Sequence, residues 1–185
     1  MLSEIIDDAE ERMKSSLSVF EQDLQGIRGN RASIGLVDRL IVNYYGQETE
    51  LRKIANISTP EPMTITIRPY DPQAVSAIET AINQANIGVN PNTDSGIVRL
   101  NMPPLTKERR RDLVKLLGKR TEDARVAIRN IRRDAMSDIK EMEKEGMVGE
   151  DDSKRGQDTV DELTKSYIDR VDEESKSKEK DIMDL

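Results

Sequence analysis

Apolar residues near the start of the chain recur mostly at steps of three and four: Leu2, Ile5, Ile6, Ala9, Met13, Leu17, Phe20, Leu24 and Ile27. A helix turns once every 3.6 residues, so this spacing puts them on one stripe and predicts a helix from Ser3 to about Arg28. Ser3 is placed to cap it, with Asp7 and Asp8 near its positive end. A second stripe runs through Leu113, Leu117, Ala124, Ile128, Ile131, Ala135, Ile139 and Met142, predicting a helix from Thr106 to about Glu145. Pro103-Pro104 stop it upstream, Thr106 can cap it, and Gly146 and Gly149 end it. A third stripe, of Val160, Leu163, Tyr167, Val171 and Ile182, predicts a helix from about Glu150 to Met183. Between 172 and 181 that stripe gives way to charge, so this end is expected to be solvated or frayed.

Residues 30–104 follow a different period. LVDRLIVNYYG (36–46) is rich in β-branched and aromatic residues and stops at a glycine. MTITIRP (63–69) alternates, with Met63, Ile65 and Ile67 on one face and Thr64, Thr66 and Arg68 on the other, which is a half-buried strand. Asp71-Pro72 opens a helix with a core face of Ala74, Val75, Ile78, Ala81, Ile82 and Ala85. VNPNTDSG is turn chemistry, and IVRLNM (97–102) alternates again with Val98, Leu100 and Met102 inward.

Three one-sided helices bury their stripes most simply against each other. The expected architecture is therefore α+β: an elongated antiparallel three-helix bundle from residues 1–29 and 105–185, with a small β/α/β domain, 30–104, inserted in it. The chain crosses between the two only at RGNRAS (28–33) and NMPPLT (101–106). So few crossings predict a hinge, with Gly29 relaxing the first and the prolines stiffening the second.

Composition removes most chemistry. The chain has no Cys and no His, which excludes disulfides, thiolate and imidazole catalysis and the usual transition-metal ligands. Carboxylate or lysine catalysis stays formally open, but no clustered acids support a hydrolase. Phe20 and four Tyr are the only aromatics, too few for a stacking platform along single-stranded nucleic acid. The acidic, amphipathic start MLSEIIDDAEERMK fits neither a signal peptide nor a mitochondrial presequence. No apolar run approaches the ~20 residues of a membrane span, so a soluble cytoplasmic protein with no membrane partner is expected.

Charge then changes the picture. The chain carries a net charge of -7, yet residues 107–133 hold eleven Lys/Arg against four Asp/Glu, a local +7, and the remainder holds 18 against 32, or -14. Such a basic block points to a nucleic-acid partner. With Arg125 at zero on a helical wheel, Arg129 falls near 40°, Arg132 near -20° and Arg133 near 80°, with Arg111 and Lys115 on the same side. Ile128, Ile131, Ala135 and Ile139 fall between about -120° and -40°. The basic row is thus a separate stripe beside the core seam. Guanidinium forks suit phosphate, and duplex RNA is read largely by shape and backbone. The same row could instead be a solvated ion-pair face, with Glu122 reaching Arg125. Periodicity and charge leave both readings open.

Four stretches, NYYG, GVNPN, NMPPLTKERRRDL and RVAIRNIRRDA, together resemble bacterial ribosome recycling factor, collinearly from Ser3 onward. The resemblance implies an L-shaped pair of domains, a three-helix bundle and a small β/α/β domain joined by a flexible hinge. It implies a translation factor, not an enzyme and without a cofactor or metal, that acts with elongation factor G and GTP hydrolysis to split the post-termination ribosome into subunits. The bundle would touch large-subunit ribosomal RNA while the small domain moves. By matching motifs, the RNA-contacting arginines are Arg129, Arg132 and Arg133, with Arg109 and Arg110 near the helix start; the wheel adds Arg125. The hinge falls on Gly29, Asn30, Arg31, Ala32, Pro103, Pro104 and Leu105. There the family pattern R-T-G-R-A-S is replaced by Arg28-Gly29-Asn30-Arg31-Ala32-Ser33. Asn30 stands in the usual glycine position, and Asn tolerates the left-handed region, which would keep the turn. A helical scaffolding protein that binds another protein's helix is the competing reading; it expects an exposed apolar surface, whereas a compact monomer is expected of the factor.

Overall fold

A computed structural model of the chain describes residues 1–184. Helix α1 (Leu2–Gln25) is followed by strands β1 (Ile41–Tyr44) and β2 (Gln47–Glu50), the single-turn helix α2 (Leu51–Ile54), and strands β3 (Ala55–Glu61) and β4 (Thr64–Pro69). Then come helix α3 (Val75–Ala85), strands β5 (Asn92–Asp94) and β6 (Ile97–Asn101), and the long helices α4 (Lys107–Lys144) and α5 (Glu150–Met183). The fold is α+β. Two compact units divide the chain: Met1–Leu24 with Val114–Glu179, and Gln25–Leu113 with the chain end from Lys180. The division falls inside the long helices, several residues from the expected 29/30 and 104/105 boundaries.

In the helical unit the predicted stripes are the ones buried: Met13, Leu17 and Phe20 on α1, Leu117, Ile128 and Ile139 on α4, Val160, Tyr167 and Val171 on α5. Each large apolar side chain so buried contributes about 1.5–3 kcal/mol. Contacts along the helices fix their directions. Arg12 meets Asp134 while Phe20 and Asp23 lie beside Arg120 and Ala124, so α1 runs against α4, and Arg125 meets Asp172 while Arg132 meets Asp161, so α4 runs against α5. Gly156 sits against Leu2, where a Cβ would crowd the leucine side chain, so α1 and α5 run side by side. A hydroxyl pair also crosses the α4–α5 seam: the Thr121 and Ser175 hydroxyls lie 2.9 Å apart, and Thr121 also donates to the Leu117 carbonyl at 2.7 Å. A register slip would strand these groups, so the pair pins one alignment.

The helix ends show where pattern alone falls short. Thr106 caps α4 as expected, its hydroxyl accepting the Arg109 N–H at 3.1 Å. At the other end Gly146 adopts φ 72°. Its N–H bonds the Glu143 carbonyl while that of Met147 reaches Met142, a Schellman closure. Ser3, by contrast, lies within α1, which starts at Leu2. That helix also stops at Gln25, three residues before the expected end, because Gly26 costs more in a helix than any ordinary residue. The charged stretch 172–181 does not break α5, which continues to Met183.

The second unit holds a four-stranded antiparallel sheet, order β3-β4-β6-β5, and a separate β1–β2 hairpin. Its core gathers Val42, Leu51, Ile54, Ile65, Ile67, Ile78, Ile82, Val98 and Leu100. This is richer than the β/α/β unit expected. Tyr45 (φ 49°) and Gly46 (φ 81°) turn the first hairpin, and Ser95 (φ 52°) and Gly96 (φ 76°) the second. Two successive positive φ values make a type I′ turn, whose twist matches the flanking strands. The expected VNPNTDSG turn thus contains strand β5. Strand β3 escaped prediction because only Ala55 in it is buried, which erases the alternation. Thr66, placed outward by alternation, is buried, with Ser58 and Arg99 opposite it on the neighbouring strands. Asp71 caps a short 3-10 turn (Pro72–Ala74) that leads into α3, and Ala85, expected in its core face, is exposed at the helix end.

Candidate nucleic-acid interface

The four arginines of RVAIRNIRRDA share one side of α4 in the helical unit, beside the buried Ile128 and Ile131. Their hydrogen bonds divide them. Arg125 donates Nε and Nη2 to Asp172 Oδ1 on α5, at 2.8 and 2.5 Å, and Nη1 to Glu122 at 3.2 Å. All three of its nitrogens are engaged with acids. The Asp172 hydrogen bond holds its pKa above the ordinary guanidinium value. Arg129 gives only Nη1, to the other Glu122 oxygen at 3.1 Å. Arg132 gives only Nε, to Asp161 Oδ1 at 2.5 Å. Arg133 is exposed, with no partner among the described residues. Hydrogen bonds from Arg125 first, then Arg129, hold the Glu122 carboxyl below the usual carboxylate range.

Arg125 therefore has every nitrogen engaged, Arg129 and Arg132 have one nitrogen engaged each, and Arg133 keeps its whole fork. Arg129, Arg132 and Arg133 line a groove of ≈ 510 Å³ with Lys140, Gln157 and Asp161. Guanidinium forks in such a groove suit phosphate oxygens, which accept paired N–H bonds. The ion-pair face also exists, but on Arg129 and Arg132 it occupies only part of the fork.

The other predicted residues lie in the second unit. Arg109 is exposed at the start of α4. Arg110 is 8% exposed, and the expectation that it contacts RNA gives way to a role inside the fold. Its Nη1 donates to Asn30 Oδ1 at 2.6 Å, to the Asp184 carbonyl at 3.2 Å and to the Ile182 carbonyl. A guanidinium so enclosed has little to offer an outside phosphate. It adds to a crowded cationic site, since burial first, and then Arg109 and Arg110, push the Arg28 pKa down.

The expected hinge residues lie inside this unit rather than at its boundary. Asn30 does not adopt the left-handed conformation proposed for it, and neither does Gly29. Gly29 packs against the Asp181 carboxylate, which would have to turn aside to admit a Cβ there. The Asn30 N–H donates to the Asp181 carbonyl at 3.2 Å and the Ala32 N–H to Pro62 at 2.6 Å, while Arg28 Nη2 donates to the Pro103 carbonyl. Arg31, Pro104 and Leu105 border a cleft of ≈ 660 Å³ with Asn30.

What this geometry offers is anion binding by guanidinium groups on a rigid helix. Among the described residues no group of acids is arranged to hold a metal ion, and no helix is long and apolar enough to cross a membrane. The chain belongs to the ribosome recycling factor family, whose description, "Ribosome recycling factor", matches it over residues 20–183. It is 51% identical over 185 residues to the ribosome-recycling factor of Symbiobacterium thermophilum, covering 100% of both chains. A solution structure of a ribosome recycling factor is similar at TM-score 0.80 and 40% identity, covering 100% of this chain and 98% of the other. A second similar structure, at TM-score 0.71 and 38% identity over 99% of each chain, models the T. thermophilus ribosome recycling factor and E. coli elongation factor G bound to the E. coli post-termination complex. The chain is accordingly a non-enzymatic translation factor of ribosome recycling.

Proposed function

We propose that the α4 face of Arg129, Arg132 and Arg133 docks on large-subunit ribosomal RNA, with Arg109 as a further contact, and that Arg125 and Arg110 serve the fold. The observation that carries this reading is the set of unengaged guanidinium nitrogens on exposed side chains beside a groove. Partnership with elongation factor G and GTP hydrolysis follows from family membership, and a relative's structure places the two factors on one post-termination complex. The factor works as a monomer, and its small domain turns about the crossings at 28–33 and 101–106. The test is light scattering of post-termination ribosomes mixed with this protein, elongation factor G and GTP. Scattering falls as subunits separate in the full mixture and stays level without the protein. If it stays level in the full mixture while another family member splits the same ribosomes, the reading is wrong.

A further inference from the structure

An acid beside a phosphate-binding face repels the ligand, so its presence asks for a physical reason. Asp161 on α5 is such an acid, bordering the groove with Arg129, Arg132, Arg133 and Lys140. Its Oδ1 accepts Nε–H of Arg132 at 2.5 Å, and both side chains stay about half exposed. Neither Nη nitrogen of Arg132 has a partner among the described residues. Four N–H donors therefore stay available on a guanidinium already held at its inner nitrogen. A long exposed side chain otherwise samples many rotamers and loses that freedom when a ligand pins it. Arg125 differs, because Asp172 and Glu122 together engage all three of its nitrogens.

We propose that Asp161 is a positioning and specificity-determining residue of the interface. It fixes the Arg132 fork before RNA arrives, which favours a matched phosphate array, while its charge imposes the same repulsion on every RNA. The proposal rests on the reading that this face contacts ribosomal RNA. A structured RNA whose phosphates coincide with the fixed fork gains the paired bonds against one repulsion. An unmatched polyanion meets the same repulsion without those bonds. The carboxylate thus acts on selectivity more than on total affinity.

Three variants, D161N, D161A and R132A, separate these effects when bound to large ribosomal subunits and to a random-sequence RNA duplex. Asn retains an oxygen acceptor for Nε but carries no charge. D161N therefore strengthens binding to both RNAs by about two- to threefold, the scale of one exposed charge at several ångströms, and keeps their ratio. D161A removes charge and anchor together. It strengthens duplex binding equally, but its subunit-to-duplex ratio falls by about two- to tenfold, the scale of ordering one long side chain. An unchanged ratio in D161A, or D161A and D161N with the same ratio, overturns the proposal. If R132A weakens subunit binding while D161A keeps the ratio, only this inference fails. If R132A binds subunits as tightly as the unaltered chain, the RNA-contact reading fails and this one with it. Circular dichroism and melting midpoints establish that each variant is folded.

Discussion

The division of labour along α4 makes a crossed prediction for Arg125→Ala and Arg133→Ala. Arg125 bridges α4 to α5 through three engaged nitrogens, with its side chain 32% exposed and Asp172 39% exposed. Water screens such a pair, so its loss should cost about 0.5–1.5 kcal/mol, above a typical surface pair and well below a buried one. Arg133 has no partner to lose, so Arg133→Ala should leave stability within about 0.5 kcal/mol. Binding should show the reverse. One phosphate contact contributes a slope of about -0.9 in log K against log salt, taking duplex DNA as the guide, which is about eightfold in affinity at 0.1 M salt. Arg133→Ala should therefore weaken ribosome binding about eightfold and flatten the salt dependence by about one contact, with Arg125→Ala changing affinity less than twofold. Urea unfolding and sedimentation with ribosomes at 50–200 mM salt measure the two quantities. If Arg125→Ala weakens binding as much as Arg133→Ala while the urea midpoint stays put, the intramolecular bonds do not decide which arginines meet RNA.

Two more outcomes follow from buried and paired charges. Arg110→Ala removes the donor from the buried Ile182 carbonyl and from two half-buried or exposed acceptors, Asn30 Oδ1 and the Asp184 carbonyl, so it should destabilise the chain by about 1–3 kcal/mol in urea unfolding; an unchanged midpoint would remove the structural role assigned to Arg110. Glu174 on α5 has its pKa raised by burial first, then by the neighbouring Glu21 carboxylate on α1, with Arg170 pulling the other way. The folded state thus holds this proton more tightly than the unfolded chain. Its stability contribution is full below the ordinary glutamate pKa and is lost as pH rises through the raised value. Glu174→Gln should therefore raise the melting midpoint at neutral pH and leave it nearly unchanged in mild acid, as thermal melts across that range would show; a lower midpoint at neutral pH would reverse the sign assigned to the pair.

The long helices were legible because each has one apolar stripe, and the buried residues are largely those the stripe names. The candidate site was legible only in part. The wheel separates a basic side of α4 from its core side, but it carries no record of what α5 brings opposite, so it could not tell Arg125 from Arg133. Arg110 was different, because a usable signal existed. On the same wheel it falls near -60°, the bearing of Ile128, so its position in the period already placed it inward. The motif drew attention to its charge instead. Gly29 is expected at a hinge, whereas in the fold it lies against the side chain of Asp181, a residue far along the chain that no local pattern connects to it. Strand β3 and the long reach of the second unit were hidden for a related reason: both depend on pairings between distant segments rather than on periodicity.

The order of synthesis gives the bundle an awkward birth. Helix α1 leaves the ribosome before α4 and α5, the helices that cover its stripe, which begin only at Lys107 and Glu150. At about 5–20 residues per second, the nascent Met13, Leu17 and Phe20 wait roughly ten to thirty seconds for the last of that cover. Seven acidic residues among the 24 of α1 keep the waiting segment hydrated and repel copies on neighbouring polysomes. The small sheet, closed by its tight hairpins, has its own core complete before α5 exists. Helix α1 thus waits longer for cover than α4 or α5, and its negative charge keeps it hydrated in the interval.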